Sequence, residues 1–293
     1  MITAQLLFRA CHVLAEGPVW HDGALWWVDI EGRSFQRGVP SSGAVSNFPL
    51  PCRVGAMVPC TDRRWVTANE QGFGFFDPAT GRLDHWGSVL AQAPRLRMND
   101  GKCDPRGRFL AGSMDEESCP GTAKLYSVDG ALTPRVLIEG LTISNGLGWS
   151  PDGATFYHID TIQRRIDAYT YDLEAGTPTN RRTLAIVPEE DGRPDGMAVD
   201  RDGNLWVALW GGAAVACYHG RTGQVLDRIS CPVAQPSSCC FGGERMDQLF
   251  ITSARQGETN GQGEGRDSLD GSIFVARPGP SGRPVDVFRT EER

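Results

Sequence analysis

Asp200-Arg-Asp-Gly-Asn-Leu-Trp-Val207 is the stretch on which the fold turns. A polar Asp-Gly turn runs straight into a short strand rich in aromatic and β-branched residues, the pattern of a hairpin strand rather than a helix. Working outward, the same phrase recurs. Upstream it reads Ser150-Pro-Asp-Gly-Ala-Thr-Phe-Tyr-His158, Asp104-Pro-Arg-Gly-Arg-Phe-Leu-Ala111, Arg64-Trp-Val-Thr-Ala68 and Gly23-Ala-Leu-Trp-Trp-Val-Asp29; downstream it reads Asp247-Gln-Leu-Phe-Ile-Thr252. Aligned on Trp26, Trp65, Phe109, Phe156, Trp206 and Phe250, the spacings are 39, 44, 47, 50 and 44. About 45 residues is the length of a four-stranded propeller blade. Six such units fill the chain, and a further strand often follows the marker, as in Lys124-Leu-Tyr-Ser-Val128 and Ile166-Asp-Ala-Tyr-Thr-Tyr171. No segment sustains a helical period, which argues against βαβ folds, and a β-sandwich has no reason to repeat at this interval. The expected fold is all-β, a six-bladed β-propeller in which residues 1–293 form a single domain. Residues 256–270 read as a polar, Gly-rich loop.

Composition agrees. The 293 residues include 36 glycines and 19 prolines, high for a helical protein and ordinary for many short strands joined by turns. No apolar run approaches the roughly 18 residues of a membrane span, and the first residues show no charged-then-apolar leader. A net charge of −7 argues against a nucleic-acid partner. Nine cysteines, an odd number without framework spacing, read as reduced thiols in a cytoplasmic protein. A monomer or weak homo-oligomer is expected, with no membrane partner.

Propellers bind ligands at the mouth of the central channel, so the polar residues just ahead of the repeating strands matter most. Four segments stand out: Ala15-Glu-Gly-Pro-Val-Trp20, Arg97-Met-Asn-Asp-Gly-Lys102, Ile143-Ser-Asn-Gly-Leu-Gly-Trp149 and Arg193-Pro-Asp-Gly-Met-Ala-Val199. Singly, each reads as a turn, and Asn145-Gly146 in particular as a hairpin turn. Together, Glu16, Asn145 and Asp195 hold similar positions ahead of the markers of three different blades, a phase that points them at one axis. Two carboxylates and an amide form an oxygen-only donor set. It suits Ca, Mg or Mn, tolerates Zn or Fe(II), and leaves coordination positions open. Other chemistries find less support. The histidines form no HxH or HExxH pair, and there is no GxSxG elbow and no GxxxxGK[ST] loop. Cys239-Cys240 has no adjoining base and reads as core.

At these residues the chain resembles the gluconolactonase, regucalcin (senescence marker protein) and luciferin-regenerating enzyme family. The motifs above carry the resemblance, together with Trp27-Val-Asp-Ile-Glu31, Ala111-Gly-Ser-Met-Asp-Glu-Glu117, Ser150-Pro-Asp-Gly153 and Pro194-Asp-Gly-Met197. The runs 205–212 and 236–243 look most like the bacterial sugar-lactonase branch, which includes xylono- and arabinolactonases. The resemblance implies one divalent metal in the channel, held by Glu16, Asn145 and Asp195. It also implies that Arg97, Asn99 and Glu117 contact a sugar lactone, and that Asp100 supports the loop or reaches the metal through water. Leu96 and Met98 flank Arg97, a departure that would reshape the pocket wall. The expected activity is hydrolysis of a sugar lactone to the open aldonic acid, with Asp195 as general base. Two alternatives stand: a non-catalytic calcium-binding or regulatory propeller, and a hydrolase of a sulfonated or phosphorylated sugar lactone. The last would need extra cations at the mouth, for which Arg53, Arg95 and Arg255 are candidates. Trp206, Trp210 and His158 either line that mouth or pack the core.

Overall fold

The computed structural model describes residues 2–255 and 268–290. Residues 256–267 of the Gly-rich segment lie outside the described residues. Six antiparallel sheets follow one another along the chain. In the first blade the strands are Ala15–His21, Ala24–Asp29, Ser34–Val39 and Ala44–Pro49, from the inside outward. The innermost strands of the next five blades are Val54–Pro59, Leu96–Cys103, Ser144–Trp149, Arg193–Val199 and Pro236–Gly242. This is the expected six-bladed β-propeller.

The phrase that recurs in the sequence is the turn from the innermost strand into the second. Asp200 is buried there. Its carboxylate accepts the amides of Asp202 (3.0 Å) and Asn204 (2.8 Å) and the Nε1–H of Trp206 (3.1 Å), tying the turn to the strand it opens. Gly203 takes φ +84°, which a side chain would disfavour. Asp104 does the same in the third blade, accepting from the amides of Arg106 and Arg108 and from the Tyr171 hydroxyl at 2.8 Å. All six aromatic markers lie on second strands and are buried, filling the spaces between neighbouring blades. Phe109, for instance, packs with Val66 and Phe73 of the second blade and Tyr126 of its own. Trp206 is therefore core, as is His158, whose Nε2 meets Ser144 Oγ at 2.8 Å. Trp210 is half-buried.

The repeat by itself does not show how the ring closes. Among the described residues, the sixth blade receives three strands from its own stretch, ending with Ile273–Ala276. Gln5–Phe8, from the other end of the chain, supplies the fourth, antiparallel to it. Putting both ends of the chain in one sheet closes the ring with backbone hydrogen bonds, so no blade is left at a free end. Ile2–Thr3 adds a short parallel edge to the fifth blade.

Past the last strand, the chain crosses the face opposite the site residues. It bonds in turn to the sixth, fifth, second and third blades: Gly282 N to Met246 O, Arg201 N to Ser281 O, Phe288 N to Pro59 O and Arg289 N to Gly107 O. Residues 283–286 wall the lower part of a channel cavity of about 110 Å³, whose other lining includes Asp100, Lys102 and Cys240.

Candidate active site in the propeller channel

Every innermost strand breaks register with its neighbour at the same level. The shifts fall between Glu16 and Val19, Val54 and Ala56, Met98 and Gly101, Asn145 and Leu147, Pro194 and Met197, and Pro236 and Ser238. A bulge leaves residues unpaired and re-aims their side chains. Six of them at one level put a ring of irregular positions around the axis. Glu16 and Asn145 border such bulges, and Asn99, Asp100 and Asp195 lie within them. In sequence each of these segments reads as a turn, but the residues lie on strands. Asn145-Gly146 is not a hairpin, because a bulge beside a crowded channel asks for the same small residue. A Cβ on Gly146 would lie 2.7 Å from the Asp195 carbonyl and 2.6 Å from Ile159 Cδ1.

Glu16, Arg97, Asn99, Asp100, Asn145 and Asp195 are each only 5–8% exposed, so charges here are largely out of water. Asn145 Nδ2 donates to Asp195 Oδ1 and, at 3.2 Å, to Thr161 Oγ1. Thr161 Oγ1 in turn donates to the Pro194 carbonyl at 2.9 Å. Asn99 Nδ2 donates to Ser144 O at 2.9 Å, and its Oδ1 accepts from Arg97 Nη1 at 2.9 Å. Arg97 Nη1 also reaches Met98 O (3.0 Å). No carboxylate forms an ion pair with Arg97 among the described residues, and its described hydrogen bonds engage Nη1 alone. Glu16 accepts the Gly17 amide at 2.9 Å and Asp100 the Gly101 amide at 2.7 Å.

Burial pushes the Glu16 carboxyl well above its ordinary range, and repulsion from Asp195 and Asp100 pushes it further. Asp195 is raised in the same way, by burial first and then by Asp100, against the pull of its Asn145 hydrogen bond and of Arg97. Asp100 is raised by burial, and Arg97 is lowered by it. Two carboxylates crowded into one dry site cannot both ionise at little cost without a cation.

A divalent metal fits this arrangement. Among the described residues no group of three His, Cys, Asp or Glu side chains forms a ligand cluster. The third donor here is the Asn145 amide, whose buried Oδ1 has no hydrogen-bond partner. An orphaned buried acceptor beside two mutually repelling carboxylates is what a hard cation would satisfy.

Glu117 stands apart from this buried group. It is exposed at the rim, 3.0 Å from Arg95 Nη1. Arg53 and Arg95 both belong to this end of the channel, just ahead of the second and third inner strands. Arg255 follows the second strand of the sixth blade and is exposed. Cys239 and Cys240 are free thiols pushed up by burial, Cys240 to about 12, which makes them inert at neutral pH. The sequence reading missed the residues that brace the site. Asp29, Asp115 and Asp160 end the second strands of the first, third and fourth blades. Asp29 accepts the Leu14 amide, Asp160 those of Thr142 and Ile143, and Asp115 that of Glu117. Two of these carboxylates anchor the chain as it enters an innermost strand. Their signal was present, an aspartate closing each of those strands, but it reads as an ordinary strand end.

The fold and the site define a propeller with an acidic, oxygen-lined centre at one end of its channel. The chain belongs to the SMP-30/gluconolactonase/LRE-like family, whose model matches residues 14–255. It is 35% identical over 291 residues to an L-arabinolactonase of Azospirillum brasilense, covering 97% of this chain and 95% of that one. It is 34% identical over 263 residues to a regucalcin of Xenopus laevis, covering 87% and 88%. A crystal structure of a calcium-binding protein, regucalcin, from Agrobacterium tumefaciens superimposes with a TM-score of 0.92 at 27% identity, covering 98% of each chain.

Proposed function

We propose that this protein hydrolyses a sugar lactone to its aldonic acid at the channel centre, with one divalent metal held by Glu16, Asn145 and Asp195. The observation that carries the reading is the pair of buried, mutually repelling carboxylates beside the unpartnered Asn145 Oδ1. Kinship to a protein named for arabinolactone supports the substrate class. When bound, the metal supplies Lewis-acid stabilisation of the negative charge that develops on the lactone oxygen. The chain's own residues do the rest. Arg97, buried near Glu16 and Asp195, and Asn99 beside it orient the sugar hydroxyls. Asp195 accepts the proton of the attacking water. Asp100 braces its own bulge through the Gly101 amide. Glu117 reaches the sugar from the rim.

Kinship to calcium-binding regucalcins supports a second reading, a metal-binding propeller without turnover. One experiment separates the two. A pH-indicator assay over pentono- and hexonolactones, with chelated protein and metals restored one at a time, should show metal-dependent acid release. Metal binding without release on any lactone would favour the second reading.

A further inference from the structure

The entrance to the channel carries a charge arrangement that the chemistry at its centre does not require. Arg53 sits one residue ahead of the second inner strand. Its Nε lies 2.5 Å from Glu70 Oε1, and its Nη1 lies 2.5 Å from Glu116 Oε1 and 3.5 Å from Glu31 Oε1. The three carboxylates come from the loops of the first, second and third blades, so one guanidinium ties three blades together. It is outnumbered there three to one. Glu116 is held below the usual carboxylate range by its bond to Arg53, so it is ionised at neutral pH. Glu31, Arg53 and Glu116 lie near enough to the buried Arg97 for their charges to act on its guanidinium.

Two further cations at this end, Arg95 and Arg164, are also engaged. Arg95 pairs with Glu117 at 3.0 Å and lies 3.6 Å from Asp115. Arg164 donates to the carbonyls of Pro188 and Gly192. Arg193, at the first position of the fifth inner strand, and Arg255, past the second strand of the sixth blade, are exposed, and neither side chain has a partner among the described residues. A lone guanidinium in open solvent is screened within roughly 10 Å and adds little affinity by itself. A phosphate or sulfonate is held by a free guanidinium fork, and the fork of Arg53 is already taken up by Glu70 and Glu116.

Resting on the lactonase reading above, we infer that the mouth selects uncharged lactones and turns away those carrying a phosphate or sulfonate, and that Glu70 and Glu116 set this selectivity by occupying Arg53. The same field acts on the product, which unlike the lactone carries a carboxylate, and favours its departure.

The test is the double variant Glu70→Gln with Glu116→Gln, which keeps side-chain size while returning Arg53 to a nearly free cation. Two readouts are needed. The first is the ratio of kcat/KM for a phosphorylated lactone to that for its unphosphorylated counterpart. Removing two like charges from the mouth should raise this ratio about tenfold after screening, with the uncharged lactone little affected. The second is calorimetric binding of inorganic sulfate, which requires no turnover: the double variant should bind it more tightly than wild type. Adding Arg53→Gln to the double variant should cut both gains by about half, because it takes back one of the two charge units gained. An unchanged ratio together with unchanged sulfate binding overturns the inference. If no lactone is turned over but sulfate binding still follows the substitutions, the lactonase reading falls and the assignment of the rim stands.

Discussion

Replacing Asp195 by asparagine should make the metal-free protein more stable while making it a poorer metal binder and a slower catalyst. Asp195 is 6% exposed and shares its pocket with Glu16 and Asp100. At an effective dielectric of about 20, unit carboxylates roughly 5 Å apart repel by about 3 kcal/mol. Arg97 offsets part of this. The hydrogen bond from Asn145 Nδ2 survives in Asp195→Asn with a neutral acceptor, weaker by about 1 kcal/mol. The balance is a gain of about 1–2 kcal/mol for chelated protein near pH 7. For a chain of this size that raises the melting temperature by a few degrees, at roughly 2–4 °C per kcal/mol. Melting curves in chelator and across a titration of divalent ions read both sides. The chelated variant should melt above chelated wild type, and the shift produced by metal should shrink. At saturating metal, losing the base should lower kcat by about 10²–10⁴-fold. A chelated variant that melts below wild type would falsify the claim that these carboxylates repel one another in the folded protein. A plateau rate within about threefold of wild type would remove Asp195 as the base and leave it only a ligand.

Arg97→Ala should lower kcat/KM about tenfold to a hundredfold, the effect of leaving buried sugar hydroxyls unpaired at about 1–3 kcal/mol, with metal affinity unchanged by calorimetry; equal kinetics would show that Arg97 only braces the loop. Gly146→Ala should lower metal affinity and stability together, because its Cβ would push on the Asp195 carbonyl and on Ile159; a crystal structure with the Asn145–Asp195 contact intact would count against this. His158 is buried, and burial drives its pKa down to about 3. The unfolded chain, with its histidine near 6.5, therefore binds the proton that the folded chain refuses, and stability falls as pH drops from about 6.5 toward 3. Between pH 7 and 5 the loss from this group is about 2 kcal/mol, at 1.4 kcal/mol per unit. His158→Gln should flatten that part of the stability–pH curve, as read by urea melts at the two pH values, and an unaltered slope would mean that other groups carry it.

The repeat was legible because each blade must bury one face of its second strand against the next blade. Trp26, Trp65, Phe109, Phe156, Trp206 and Phe250 therefore return at a period set by the length of a four-stranded sheet. The turn phrase was legible for a related reason: Asp200 and Asp104 satisfy backbone amides that no strand pairs, and glycine takes up the positive φ of Gly203. Phase within that repeat was enough to nominate Glu16, Asn145 and Asp195, since residues at one level of the innermost strands face one axis.

Tertiary structure decided what local patterns cannot express. A register shift in one strand leaves no mark distinguishable from a turn. Only the six-fold coincidence of bulges shows why Asn145-Gly146 and Asp195-Gly196 lie in strands and why their side chains meet. The origin of the sixth blade's fourth strand depends on where the two ends of the chain meet in space. The placing of Arg53 among Glu31, Glu70 and Glu116 joins residues up to 85 positions apart. Burial and charge also set the proton affinities of Glu16 and Asp195, and both are properties of the closed ring rather than of any segment. The sequence alone determines the donor types and the repeat that carries them, because both follow from side-chain chemistry and local periodicity. Which donors converge, and which cations stay free, depends on contacts between distant strands.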